Sequence, residues 1–304
     1  MKKQIFFALA MLVGLGCDAQ NFGGFQMPKV EMNCSEKFAD VNYVGDGEAY
    51  HTLDIYLPKV KKDAYPVVIH IYGSAWFSNS SKGMADLGTI CQALLDAGYA
   101  VVTPNHRSSM DAKFPAQIND VKAVVRFVRG EAEKYHFDKS FIAISGFSSG
   151  GHLASLTGTS AKVKELEGDL GNHTTECSCV NAVCDWSGPI DMFRMNCDEP
   201  RKWGNTPEEA LVGKDYADEY APLFKAISPI TYIDKNDAPF IIFHGTDDNV
   251  VPCCQGQELY DELTKAGVKA EINIVQGGGH GFNMYSKENL QKMVNFLNNI
   301  KDEK

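Results

Sequence analysis

The chain has 304 residues, 44% of them hydrophobic and 22% charged, which is typical of a globular protein with enough mass for a full core. Its formal net charge of −10 argues against a nucleic-acid partner, because phosphate binding requires a basic face. Polyanionic substrates are disfavoured for the same reason.

Residues 1–19 have the pattern of a signal peptide. Two lysines, Lys2 and Lys3, give a charged start, and the apolar run from Ile5 to Leu15 is too short to span a bilayer. Small residues follow, and cleavage after Ala19 would export the chain to the periplasm or the cell exterior. No later segment is long enough to be a transmembrane helix.

A lipid anchor is the competing interpretation of this leader. It would be attached at Cys17, but Gly14 stands where a lipobox prefers an aliphatic residue. We therefore favour simple export over anchoring.

Short strand-like runs alternate with helix-like stretches along most of the remaining chain. Residues 20–42 contain Gly, Pro and polar residues and are predicted to form an irregular tether, so the predicted domain covers 43–304. The alternation implies the α/β class, with a mostly parallel sheet and helices on both faces. Strands are predicted over 51–57, 66–71, 99–103, 140–145, 180–184, a run after 239 and 268–275, and helices over 87–97, 116–135 and from 151.

Two charged stretches, 158–179 and 189–230, interrupt this alternation. The second holds methionines and aromatics among its charges, and insertions at such a position commonly form lids or substrate walls. Local packing of a helical excursion is the alternative explanation. These residues are Met192, Phe193, Met195, Trp203, Tyr216, Tyr220 and Phe224.

The pentapeptide Gly146-Phe147-Ser148-Ser149-Gly150 is the most informative motif. It directly follows a predicted strand and leads into a segment that can begin a helix. A G-x-S-x-G sequence in that context is typical of a nucleophile elbow, which points a serine hydroxyl into a cleft. The pattern predicts Ser148 as a nucleophile, although such a serine could also simply cap its helix.

Two downstream segments offer the partners that such a serine needs. A serine is a poor nucleophile until a base, usually a histidine held by a carboxylate, takes its proton. Asp247 and Asp248 follow one predicted strand, and His280 lies in a glycine-rich loop after the next. Because carboxyl ends of strands gather at one edge of an open α/β sheet, we expect convergence with Ser148.

Each of these residues also has an ordinary explanation. A lone histidine among glycines is more often a surface loop residue, and an Asp-Asp pair after a strand is usually a turn. It is the order serine, acid, histidine, with each residue at a strand end, that favours a catalytic triad.

With these motifs the chain resembles the α/β-hydrolase superfamily from about Tyr50 to Ile300, and within it bacterial carboxylesterases of the acetyl- and feruloyl-esterase-like family. His244-Gly-x-x-Asp248-x-x-Val-Pro252 resembles the acid loop of that family, which favours Asp248 over Asp247. Gly279-His280-Gly281-Phe282 resembles its histidine loop. The resemblance implies a serine hydrolase that acts on carboxylic esters and needs no cofactor.

The oxyanion hole departs from the family pattern. Its donors are backbone amides, one from the residue after the nucleophile, here Ser149, and one from a loop where many esterases carry His-Gly-Gly-Gly. The aligned residues here are Tyr72-Gly73-Ser74-Ala75. Since amide donors require backbone rather than a particular side chain, Gly73 and Ser74 both remain candidates, and an ordinary surface loop is the alternative.

Four aromatic residues could wall an acyl pocket, although each could equally belong to the core. They are Trp76, Phe147, Trp186 and Phe282.

The triad alone does not select a substrate, since this chemistry cleaves esters, amides and peptides alike. The resemblance favours a small ester or an esterified polysaccharide, and export favours acetyl or feruloyl groups on plant polysaccharide. A serine peptidase of the prolyl oligopeptidase type is one alternative, although those enzymes usually carry a large propeller before the catalytic domain. A catalytically silent binding protein on the same fold is another. The sequence does not indicate the oligomeric state.

The chain also has nine cysteines, and export would permit disulfide bonds. The first interpretation is that disulfides pin a variable loop, and the second is a metal site that includes His173. Zinc sites favour C-x2–4-C spacing, and Cys177-x-Cys179 is tighter than that, so no metal is predicted. Which cysteines pair is not readable from the sequence. The grouped cysteines are Cys177, Cys179, Cys184 and Cys197, with Cys253 and Cys254 further on.

Overall fold

The fold is built on one eight-stranded sheet. The computed structural model describes residues 30–197, 204–214 and 218–303. The strand order is β1-β2-β4-β3-β5-β6-β7-β8, with antiparallel pairing of β2 to both β1 and β4 and parallel pairing from β4 through β8. The strands are β1 Glu36–Asn42, β2 Thr52–Leu57, β3 Tyr65–Ile71, β4 Ala100–Pro104, β5 Phe137–Phe147, β6 Val183–Trp186, β7 Phe240–Gly245 and β8 Ala270–Val275.

The central strands are buried on both faces. Every residue of β3 is buried; Val67 and Ile69 pack into one apolar cluster, and Val68 packs into another. A continuous apolar run such as this one is characteristic of a parallel strand covered on both sides. The sheet therefore divides the hydrophobic core into two layers.

Helices cover both layers, as the sequence predicted. Apolar residues of α2, α3 and α6 join the cluster on one face, and those of α1 and α7 join the cluster on the other. The predicted α/β architecture is confirmed. The helices are α1 Gln92–Asp96, α2 Ala116–Gly130, α3 Ser149–Thr159, α4 Pro207–Val212, α5 Ala221–Ala226, α6 Cys254–Ala266 and α7 Lys287–Asp302.

The predicted irregular tether over 20–42 needs correction at its end, where β1 pairs with β2. Phe38 and Val41 are the half-buried apolar residues of β1 that pack on the core. The register with β2 shifts between these two residues. This irregularity places them three positions apart, so the two-residue alternation that identifies a strand is missing.

Several element boundaries also differ by a few residues from the prediction. The helix predicted over 116–135 ends at Gly130, and the strand predicted over 180–184 is β6, Val183–Trp186. The helix predicted over 87–97 begins with a π-helical turn, Leu87–Cys91, before α1. The α2 helix is predicted too long because Ala132 and Tyr135, in the turn that follows it, are buried apolar residues that continue its pattern.

The inserted stretch 189–230 packs as part of the domain. It contains α4 and α5, and Met192, Met195 and Phe224 are buried in the same apolar cluster as the sheet. Trp203 and Tyr216 lie outside the described residues, as does the whole leader with Cys17.

Disulfide bonds, predicted from the cysteine content, are confirmed. One joins Cys177 to Cys179, and the other joins Cys197 in the insertion to Cys254 at the start of α6. His173, considered as a metal ligand, instead pairs with Glu131 at 3.0 Å. No three His, Cys, Asp or Glu side chains of the described ranges form a group that could hold a metal ion.

None of the helices in the described part of the chain is long and apolar enough to cross a membrane.

Candidate active site

Four loops meet at one edge of the sheet. They follow β3, β5, β7 and β8, which run parallel, so their carboxyl ends lie on the same side. The loops carry, in that order, the predicted oxyanion residues, Ser148, Asp248 and His280. The candidate site therefore lies where ligands gather in open α/β sheets.

Ser148 lies on a tight turn between β5 and α3. Its φ of 56° and ψ of −122° are unusual for a residue with a side chain and cost on the order of 1–3 kcal/mol. A Cβ on Gly146 would lie 2.1 Å from the carbonyl oxygen of Gly150, and one on Gly150 would lie 2.1 Å from that of Ile71. Both flanking glycines are thus required by the close approach of backbone.

The three predicted catalytic side chains are in hydrogen-bonding contact. His280 Nε2 lies 2.8 Å from Ser148 Oγ, and His280 Nδ1 lies 2.8 Å from Asp248 Oδ2. A carboxylate only accepts hydrogen bonds, so Nδ1 carries the proton and the Nε2 lone pair faces the serine hydroxyl. This arrangement lets the imidazole remove the serine proton.

The Asp248 carboxylate is held by its own loop. Its Oδ1 accepts hydrogen bonds from the amides of Val250 at 3.0 Å and Val251 at 2.9 Å. Burial favours the neutral acid, but the hydrogen bond and charge of His280, with these two amides, outweigh it and lower the pKa of Asp248 below its ordinary value. The carboxylate is therefore ionised when His280 needs a negative partner.

Asp247, the other candidate acid, points elsewhere. It is exposed, and its Oδ1 accepts a hydrogen bond from the Thr246 hydroxyl at 2.9 Å. Only Asp248 contacts His280, in agreement with the choice that the family motif favoured.

His244 supports the acid loop, a role that sequence reasoning did not assign. It is fully buried, and its Nε2 donates to the carbonyl oxygen of Val251 at 2.9 Å. Burial is the main cause that lowers the pKa of His244, so the ring is neutral. The signal was present, since His244 opens the motif that contains Asp248, but a motif does not reveal which atom a side chain contacts.

The two candidate amides of the oxyanion loop, those of Gly73 and Ser74, differ in their hydrogen bonds. The Ser74 amide donates to Ser149 Oγ at 2.8 Å, and so is already engaged. No protein group in the described ranges accepts a hydrogen bond from the amide of Gly73 or Ser149. A Cβ on Gly73 would lie 2.9 Å from the Ser148 Cβ, so this loop abuts the nucleophile. Gly73 and Ser149 are thus the amides available to a ligand at Ser148.

Two of the four aromatics predicted to wall a pocket are core residues. Trp186 is 0% exposed and stacks on Phe243 at 3.8 Å between ring centroids, and Trp76 is 2% exposed. The expectation that these two contact an acyl group is corrected, because neither presents a surface to the cleft. Their position beside the motifs on the chain did not reveal which side of the backbone their rings occupy.

The other two aromatics lie beside His280. The Phe147 ring is half-buried, with its centroid 4.8 Å from that of the imidazole. Phe282 is 72% exposed, two residues after His280. Both are placed where a substrate could touch them.

Comparison with known proteins places this geometry in context. The family profile named BD-FAE matches residues 53–263. The truncated form of a carbohydrate esterase from gut microbiota is 45% identical, with a TM-score of 0.87 over 90% of this chain and 99% of that one. A bifunctional GH43-CE protein of Bacteroides eggerthii is 48% identical, with a TM-score of 0.84 over 87% of this chain and 35% of that one.

Curated sequences agree with the structures. Esterase LipC of Mycobacterium tuberculosis is 28% identical over 225 residues, which are 72% of this chain and 53% of LipC. Esterase LipQ of the same organism is 31% identical over 66% of this chain and 46% of its own length. The chain thus spans about half the length of these relatives. It belongs to the BD-FAE family, and its fold is that of the α/β-hydrolase esterases.

Proposed function

We propose that the protein is an exported serine carboxylesterase that removes acetyl or feruloyl groups from plant polysaccharide. The observation that carries the reaction type is the pair of 2.8 Å hydrogen bonds that join Ser148, His280 and Asp248. The substrate class is supported by family membership, since BD-FAE denotes bifunctional acetyl/feruloyl esterases, and by a similar carbohydrate esterase from gut microbiota. Export is supported by the leader pattern of residues 1–19.

The reaction proceeds through an acyl-enzyme. His280 Nε2 takes the proton of Ser148 as its oxygen attacks the ester carbonyl, and Asp248 stabilises the imidazolium that forms. The amides of Gly73 and Ser149 donate to the oxyanion, and one such donor is typically worth about 3–4 kcal/mol of the barrier. His280 then protonates the leaving alcohol. Water then attacks the acyl-enzyme while His280 takes its proton. The Ser148 oxygen leaves with the proton from His280, and the acid is released.

The test compares the wild-type protein with Ser148→Ala and with Ser140→Ala, an exposed serine at the opposite end of β5. We expect the wild type and Ser140→Ala to hydrolyse 4-nitrophenyl acetate and to react with a fluorophosphonate probe. We expect Ser148→Ala to lose at least about 1,000-fold in kcat and all labelling, because no nucleophile remains. Full activity of Ser148→Ala would rule out the mechanism.

The substrate is tested separately. Acetylated and feruloylated xylan are incubated with the active enzyme, and released acetate and ferulate are measured. Release of either acid supports the polysaccharide assignment. Release of neither, from an enzyme that still cleaves 4-nitrophenyl acetate, would contradict that assignment and leave the esterase chemistry in place.

A further inference from the structure

His152 connects three segments around the nucleophile. It lies in the first turn of α3 and is 0% exposed. Its Nδ1 lies 3.1 Å from the indole nitrogen of Trp76 in the oxyanion loop, and its Nε2 lies 2.7 Å from the carbonyl oxygen of Ile227, just after α5 of the insertion. Neither contact involves substrate or the triad.

These two partners determine the protonation of the ring. An indole N–H only donates and a carbonyl only accepts, so His152 must accept at Nδ1 and donate at Nε2. Burial lowers its pKa to about 4, which keeps the ring in this neutral form at physiological pH. A protonated ring would lose the acceptor that Trp76 needs.

The same face of α3 holds the oxyanion loop at two points. Ser149 and His152 are three residues apart, so their side chains point the same way. Ser149 Oγ accepts from the Ser74 amide at 2.8 Å, and His152 accepts from the Trp76 side chain. The loop is thus fastened to the helix that begins immediately after Ser148.

The loop needs these two hydrogen bonds because its backbone conformation is unfavourable. Ala75 and Trp76 have φ angles of 49° and 62°, two consecutive side-chain residues in the left-handed region. Each costs on the order of 1–3 kcal/mol and persists only where surrounding contacts hold it. Without its partner the buried indole N–H would be left unpaired, which adds a further penalty.

We propose that His152 is a positioning residue of the oxyanion hole. By holding Trp76, it keeps the Gly73 amide of the same loop aligned with the carbonyl that Ser148 attacks. This inference rests on the proposed function, since it concerns the same reaction. It assigns His152 to the alignment of a donor that acts in the transition state, so its loss lowers kcat more than it raises KM.

The test uses two variants of His152 with amide side chains, each of which keeps one of its two hydrogen bonds. The amide of His152→Asn lies near the position of Nδ1 and can still accept from Trp76. The amide of His152→Gln lies near the position of Nε2 and can still donate to Ile227. Both remove one buried hydrogen bond, so a merely structural role predicts equal effects.

We expect His152→Gln to lower kcat for 4-nitrophenyl acetate about 10- to 100-fold, with KM changed less than threefold. We expect His152→Asn to keep at least about tenfold more kcat than the Gln variant. Rates are normalised to sites counted by complete fluorophosphonate labelling, which excludes unfolded protein. Tyr99→Phe, which removes a 2.8 Å hydrogen bond to Asn298 next to the amino end of β4, serves as control and should keep wild-type kcat.

Equal kcat values for the Asn and Gln variants, or a Gln variant within threefold of wild type, would overturn the inference. Trp76→Phe removes the indole N–H that donates to His152 and should lower kcat in the same way. It therefore tests the inference where a His152 variant fails to fold. An inactive, unlabelled wild type would instead overturn the proposed function.

Discussion

A glycine lets the oxyanion loop lie directly against the nucleophile. At Gly73 an added Cβ would lie 2.9 Å from the Ser148 Cβ and 2.9 Å from the carbonyl oxygen of Phe147. Contacts this close can be relieved only by a shift of the backbone, which is energetically costly. The loop is tethered on its other side by Ser149 and His152. The position of one amide therefore depends on the absence of one methyl group.

Gly73→Ala should for that reason lower kcat about 10- to 100-fold, because the loop must move away from Ser148 and its amide leaves the oxyanion. Gly83→Ala is the matched control, since a Cβ on Gly83 would meet no atom within 4 Å. Steady-state hydrolysis of 4-nitrophenyl acetate measures both. Wild-type kcat in Gly73→Ala would show that this amide does not act in the reaction.

At the scale of elements, the insertion is secured to the helix that follows the acid loop. The Cys197–Cys254 disulfide joins residues 57 positions apart and links the insertion to α6. Closing so long a segment restricts the unfolded chain, whereas the Cys177–Cys179 disulfide spans a separation of only two. The first bond therefore contributes far more to stability.

Replacing both Cys197 and Cys254 by serine should lower the free energy of unfolding by about 4 kcal/mol and Tm by roughly 10 °C. Replacing both Cys177 and Cys179 by serine should cost less than half as much. Thermal unfolding by circular dichroism compares the two variants without reductant. An equal fall in Tm for both would contradict the argument from loop length.

For the whole molecule, buried histidines link stability to pH. Burial is the first cause that lowers the pKa of His106, His152 and His244, and for His152 the value is about 4 against an ordinary 6.5. The unfolded chain therefore binds protons that the folded chain does not, between the unfolded and folded pKa values. His51 acts in the opposite sense, because its hydrogen bonds and charge interactions with Asp120 and Asp46 outweigh burial and raise its pKa.

Asp185, Asp237 and Glu258 act in the same sense as His51, because burial raises the pKa of each carboxyl group. The contribution of His152 to the free energy of unfolding should by itself fall as the pH drops from about 6.5 to 4. His152 alone corresponds to about 3 kcal/mol across that interval. Urea unfolding of the wild type and of His152→Gln at pH 7.5, 6.0 and 5.0 isolates this contribution, because the free energy of unfolding of the wild type relative to the variant should decrease toward pH 5. A difference between the two proteins that stays constant or increases toward pH 5 would contradict it. The lowered pKa of Asp248 affects stability only below its ordinary value of 3.8.

The sequence by itself determined the central strands and the reactive groups of this protein. Runs of apolar residues and a serine between glycines are local properties, so the central strands, the elbow and the triad order were readable without coordinates. The choice of Asp248 over Asp247 came from the resemblance of its contiguous motif to the acid loop of the family.

Tertiary structure decided what depends on distant segments. Which amide is free in the oxyanion loop follows from a contact between Ser74 and Ser149, 75 positions apart. The burial of Trp186 follows from stacking on a neighbouring strand, and β1 was recognisable only through its pairing with β2. A linear pattern states which groups are present, whereas the direction of each side chain is determined by the packing of segments that are remote in the chain.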